Sequence, residues 1–208
     1  DKKHIENGFV EPDNKTPYFD VDRPLRNQWM FQSVANVILA HNLIIQFPEI
    51  NKERTAIAGI SWGGIITCIV AGLDQRYKAA VSVYGCGFLN ESGRMKTELF
   101  HLTEENRNKW MNLYEPSGYI KQCKFPVLFV NGTNDVHFYL TSLKKTFNLL
   151  EHGELCVKPD LKHSHRWGWG NEEIFGFIGN QLNGTPPLPV IGPAKRDGEV
   201  VRAKVRYE

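Results

Sequence analysis

Arg54 to Gly64 reads RTAIAGISWGG, and this stretch decides the fold. Its first seven residues are short, apolar and partly β-branched, the pattern of a strand buried on both faces. Gly64 to Leu73 is apolar and reads as a buried helix. Between them, Gly59-Ile60-Ser61-Trp62-Gly63 matches G-x-S-x-G. That pattern alone is weak, but strand, sharp turn and helix are the context that gives it meaning. A serine on such a turn occupies a strained backbone region. Small neighbours let the flanking backbones approach. Ser61 is therefore the candidate nucleophile, at a helix N-terminus whose free N–H groups favour developing negative charge. The backbone N–H of Trp62 is the candidate oxyanion donor.

Working outward, strands and helices alternate. Asp22 and Pro24 precede a helical pattern over Leu25–Phe47, carried by Met30, Val34, Val37, Ile38, His41 and Ile45 and stopped by Pro48. Downstream, Ala79–Tyr84 and Phe125–Val130 read as buried strands and Glu154–Lys158 as a shorter one. Phe138–Leu150 and Asn171–Leu182 read as helices. This rhythm predicts an α/β fold, a mostly parallel sheet with helices on both faces. Residues 88–119 break the rhythm, being polar with Trp110, Tyr114 and Pro116, and are expected to form a lid insertion. Residues 1–184 are expected to be the C-terminal catalytic portion of one domain. Residues 185–208 read as a proline-rich linker followed by a half-buried strand, in which Val201, Ala203, Val205 and Tyr207 alternate with charged residues. That strand fits the start of a further β-domain. The opening, with Pro12 and Pro17, is polar and loop-like.

Composition narrows the function. The 208 residues are 41% hydrophobic and 23% charged, with a formal net charge of +2. That balance suits a globular domain and gives no electrostatic footprint for nucleic acid. No apolar stretch is long enough to span a membrane. Cys68, Cys86, Cys123 and Cys156 form no C-x-x-C pair, so they read as buried apolar residues, without a zinc site or redox dithiol.

A serine hydroxyl needs a base, and the base needs a third group to fix its tautomer. On a sheet of this kind the chain order is serine, carboxylate, histidine. Asp135 follows the strand FPVLFV and is the candidate acid, with Asp160 as the fallback. Lys162-His163-Ser164-His165 follows the last strand. His163 is the preferred base and His165 the alternative. His4, His41, His101, His137 and His152 lie in poorer positions. No ligand set at a recognisable spacing supports a metal site, and no cofactor is expected. Trp62, Tyr84 and Trp167 are candidate walls of a substrate pocket suited to a sugar ring or another flat group.

The segments GISWGG, VSVYGCGF, LFVNGTNDVHF and KHSHRWGW, with the trailing NEEIFGFI and PLPVIG, resemble the acetyl xylan esterase-like branch of the α/β-hydrolase superfamily. Prolyl-oligopeptidase-like and dienelactone-hydrolase-like enzymes are similar relatives. The resemblance covers about Leu25 to Gly192. It implies Ser61 as nucleophile, Asp135 as acid and His163 as base, with the H-S-H run permitting two alignments. It implies hydrolysis of carboxylic esters through an acyl-enzyme, often removal of acetyl groups from plant-type polysaccharides, by proteins that bacteria commonly secrete or keep in the periplasm. A dipeptidyl- or prolyl-oligopeptidase-like serine peptidase and a non-catalytic carbohydrate-binding fragment are the alternatives. The complete fold has further strands before Leu25, and their loops supply a second oxyanion donor. Those strands are expected to be missing here, so the activity of this chain alone is expected to need a second chain or copy completing the sheet. The expected partner otherwise is a small-molecule or carbohydrate ester.

Overall fold

A computed structural model describes residues 16–206. Expectations for His4, Pro12 and Tyr207 fall outside them. The chain opens with α1 (Thr16–Phe19). The helical pattern from Leu25 is split. Leu25–Asn27 makes a single 3-10 turn, Gln28 is extended, and α2 runs Trp29–Ile44. The break is held by the Gln28 amide, which donates to the carbonyls of Val21 and Arg23 at 3.1 and 2.7 Å.

Beyond α2 come β1 (Ala56–Ile60), α3 (Trp62–Leu73) and β2 (Ala79–Val83). The segment after β2 is mostly helical: α4 (Gly93–Phe100), α5 (Glu104–Tyr114) and α6 (Ser117–Ile120). Its polar sequence hides an inner face, since Leu99, Trp110 and Ile120 are fully buried. Then follow β3 (Val127–Gly132), α7 (Leu140–Phe147), β4 (Gly153–Lys158), α8 (His165–Trp169) and α9 (Glu172–Asn183).

The four strands form one parallel sheet in the order β1-β2-β3-β4. β2 and β3 are buried at every position, as central parallel strands must be when helices cover both faces. Alternation along the strands shows this directly. Gly59 and Ser82 are partners in register and face α3. Their neighbours Ile60 and Val83 face Gly168 of α8. Among the described residues the far side of β1 has no strand.

The tail departs from expectation. In place of one half-buried strand it has two short antiparallel pairs: β5 (Val190–Ile191) with β8 (Val205–Arg206), and β6 (Lys195–Asp197) with β7 (Val200–Arg202). All of these residues are exposed. Among the described residues the apolar alternation has no second layer to cover it. No helix among the described residues is long and apolar enough to cross a membrane. All four cysteines are free, three of them buried.

Candidate active site

Each strand of the sheet delivers one loop to the same rim. The β1 ladder extends one residue beyond the strand, with the Ser61 N–H donating to the Val83 carbonyl at 2.8 Å. There the chain turns sharply, and Ser61 adopts φ 58, ψ −114. A non-glycine residue in that region carries strain that the surroundings must impose. They do so through close backbone approach. A Cβ at Gly59 would collide with the Gly63 carbonyl, and one at Gly64 would lie 2.8 Å from Ser82 Oγ. Gly63, the second glycine of the motif, has open space around it. The glycine that the turn needs on its helical side is therefore Gly64.

Asp135 ends the turn after β3 and is buried. Its Oδ1 accepts from the backbone N–H of His137 at 2.8 Å and of Phe138 at 3.0 Å. Its Oδ2 lies 2.8 Å from His163 Nδ1. Burial raises the carboxyl pKa, but the hydrogen bonds from His163, Phe138 and His137 outweigh it and hold the group below its usual value. Asp135 is thus an anion fixed on one side by the backbone and on the other by an imidazole. His163 Nε2 in turn lies 2.9 Å from Ser61 Oγ.

The structure brings Ser61, His163 and Asp135 together in one chain of hydrogen bonds. His165 is not part of it. Ser164 caps α8 by accepting from the Trp167 N–H at 3.4 Å. His165 therefore begins the helix, exposed to solvent. Asp160 is exposed and lies apart from this chain. Trp62 opens α3, so its N–H has no acceptor within the helix.

Of the expected pocket walls, Trp62 is half-buried, and its ring packs edge-on against Tyr18 at 5.1 Å and Trp29 at 5.5 Å. Trp167 is 51% exposed, with Lys162 Nζ 5.8 Å from its ring centre. Tyr84 is fully buried. It touches the imidazole of His163 and has no surface to offer a substrate. His137, a poorer base candidate by sequence, and Phe138, given no site role there, have rings 4.6 and 6.0 Å from that of His163. Their position directly after the acid was the available signal. Sequence reasoning passed over Tyr18 and Trp29, brought to Trp62 from a distant segment.

Among the described residues no cluster of three or more histidine, cysteine or acidic side chains could hold a metal ion. An apolar cavity of about 350 Å³ lies between α2, α3, α5 and α6. On α3 its wall comprises Ile69 and Leu73. Ile69 lies about 12 Å along the helix from Ser61, so the cavity is separate from this site.

The sequence profile of the prolyl oligopeptidase family matches residues 22–175. No curated protein matches the chain. An acetyl xylan esterase from Paenibacillus sp. R4 is similar in structure, with a TM-score of 0.68 and 20% identity over 88% of this chain and 61% of that one. A second acetyl xylan esterase, from Thermoanaerobacterium sp., gives 0.66 and 18% over 81% and 58%. An acylaminoacyl peptidase from Pyrococcus horikoshii gives 0.55 and 19% over 77% and 29%. This chain spans less than two thirds of each. These likenesses are to the α/β-hydrolase fold, seen here as a four-stranded parallel portion of its sheet.

Proposed function

The chain belongs to the prolyl oligopeptidase family of serine hydrolases, and from that premise we propose that it cleaves carboxylic esters through an acyl-enzyme. The observation that carries this reading is the unbroken hydrogen-bond chain Ser61–His163–Asp135 with Ser61 at the N-terminus of α3. Ser61 Oγ attacks the ester carbonyl carbon while its proton passes to His163 Nε2. Asp135 stabilises the imidazolium. The carbonyl oxygen becomes an oxyanion facing the N–H of Trp62. The intermediate collapses, His163 returns the proton to the leaving alcohol, and the acyl group stays on Ser61. Water then attacks the acyl carbon with His163 taking its proton, and the acid departs as His163 returns that proton to Ser61 Oγ.

The substrate we favour is an acetylated carbohydrate. The half-exposed ring of Trp167 beside the base loop suits stacking on a sugar. Two of the structurally similar proteins are acetyl xylan esterases. The second oxyanion donor, in this reading, comes from polypeptide packed on the side of β1 that has no strand among the described residues. The family assignment and the likeness to an acylaminoacyl peptidase support a second reading, in which the scissile bond is an amide.

A fluorophosphonate probe followed by peptide mapping tests the first claim, with labelling expected at Ser61. A folded chain left unlabelled sinks it. Hydrolysis of p-nitrophenyl acetate and acetylated xylo-oligosaccharides, compared with aminoacyl p-nitroanilides, separates the two readings. Faster amide turnover would transfer the assignment to the peptidase.

A further inference from the structure

The end of β2 repeats the geometry of the end of β1. The Tyr84 N–H donates to the Val130 carbonyl at 2.9 Å, extending the ladder by one residue, and the chain then turns with φ 51. Ser61, Tyr84 and Asp160 all follow the C-terminal ends of sheet strands and all have positive φ. A bulky aromatic residue is a poor choice for the left-handed region, and such a conformation persists only where the surroundings demand it.

What the turn achieves is visible in the contacts of the ring. Tyr84 stacks on the His163 imidazole, with centroids 4.6 Å apart and planes 28° apart. Its hydroxyl donates to the carbonyl of Lys162, the residue before the base, at 2.7 Å. The same ring also meets α8 near its C-terminal end, where a Cβ on Gly168 would lie 3.1 Å from Tyr84 Cε2. Burial, reinforced by the charge of Asp135, pushes the phenol up to about 12, so it stays a donor at neutral pH.

We propose that Tyr84 is the positioning residue of the general base, gripping the His163 loop by its ring and its hydroxyl so that Nε2 stays in reach of Ser61. This rests on the hydrolase reading above. Nothing else in the described hydrogen bonds ties the Lys162 backbone to the sheet. The Asp135 bond fixes one ring nitrogen, and the His137 and Phe138 rings lie 4.6 and 6.0 Å from the imidazole. The stacked Tyr84 ring restrains the imidazole alongside them. Being fully buried, Tyr84 acts through His163 and touches no substrate.

The test uses the full chain with p-nitrophenyl acetate and a fluorophosphonate probe, comparing wild type, Tyr84→Phe and Tyr84→Leu. Tyr84→Phe keeps the stacked ring and loses only the bond to Lys162. Its kcat and labelling rate should fall about tenfold with KM unchanged. Tyr84→Leu should lose about a hundredfold, with Phe recovering most of the difference. A Tyr84→Phe variant with wild-type kcat overturns the proposal, and it decides the matter even where Tyr84→Leu does not fold. A change in KM at constant kcat also overturns it, by making Tyr84 a substrate contact. A wild-type chain that the probe leaves unlabelled fails differently. It removes the hydrolase reading first, and this proposal with it.

Discussion

Helix α3 has a hydroxyl–imidazole–carboxylate chain at each end. At its N-terminus Ser61, His163 and Asp135 are joined at 2.9 and 2.8 Å. At its C-terminus Thr55, His41 and Asp74 are joined at 3.0 and 2.9 Å. By distance and donor order the two are alike, yet their surroundings differ in three ways. Ser61 stands on a strained elbow beside the free N–H of Trp62, whereas Thr55 lies before β1 at the opposite rim of the sheet, where α3 presents its negative end. His41 is 3% exposed and its face is covered by Tyr77, stacked at 3.8 Å. Asp74 is clamped by Arg76 through Nε and Nη2 at 2.7 and 2.6 Å, while Asp135 is held by backbone N–H groups and the imidazole alone. The lesson is that three residues in line make a fastening; a helix N-terminus, solvent access and a carboxylate with no guanidinium on it make it a candidate for chemistry.

The sharpest way to break the contrast is to remove each hydroxyl. Ser61→Ala should lower kcat on an acetyl ester by about ten-thousandfold or more, measured by initial rates. Thr55→Val should leave kcat unchanged. Equal losses would make the C-terminal chain part of the chemistry.

His41→Ala comes next. It opens a gap beside Asp74 and removes the stacking on Tyr77, so thermal unfolding should show a loss of about 3 kcal/mol. kcat per folded molecule should hold. The acid range separates the pairs further. Burial raises the Asp74 pKa, but Arg76 and His41 outweigh it and bring it from 3.8 to about 2. A depressed folded pKa stabilises above the unfolded value, and that share disappears as pH falls. Wild type should therefore lose about 2 kcal/mol between pH 4 and pH 2 that Asp74→Asn does not lose, read by circular dichroism. The smallest effect belongs to Thr55→Val, about 1 kcal/mol for one hydrogen bond to a half-buried hydroxyl, seen as a small drop in Tm.

The parallel strands were legible because strands covered on both faces need uninterrupted apolar runs, and AIAGI, AAVSV and VLFVNG are such runs or close to it. The helical character of the segment between β2 and β3 is not evident from its polar composition. Its capping signal was present in Thr103-Glu104-Glu105, where Thr103 Oγ1 accepts from the Asn106 N–H at 3.2 Å. The break between Asn27 and Trp29 was not legible, since it depends on an amide reaching back to two carbonyls. The tail alternation misled because alternation signals a half-buried strand only where a second layer exists.

The amino-acid sequence by itself determined the elbow, the family and the order of the nucleophile and acid candidates, since each follows from local pattern after a buried strand. It left His163 and His165 open, named Tyr84 as a pocket wall, and gave no sign of a second chain through His41. Only the tertiary structure decided these. Which imidazole reaches a hydroxyl depends on where a helix cap falls and how a ring is packed from across the sheet, and side-chain spacing along the chain carries no record of distances across it.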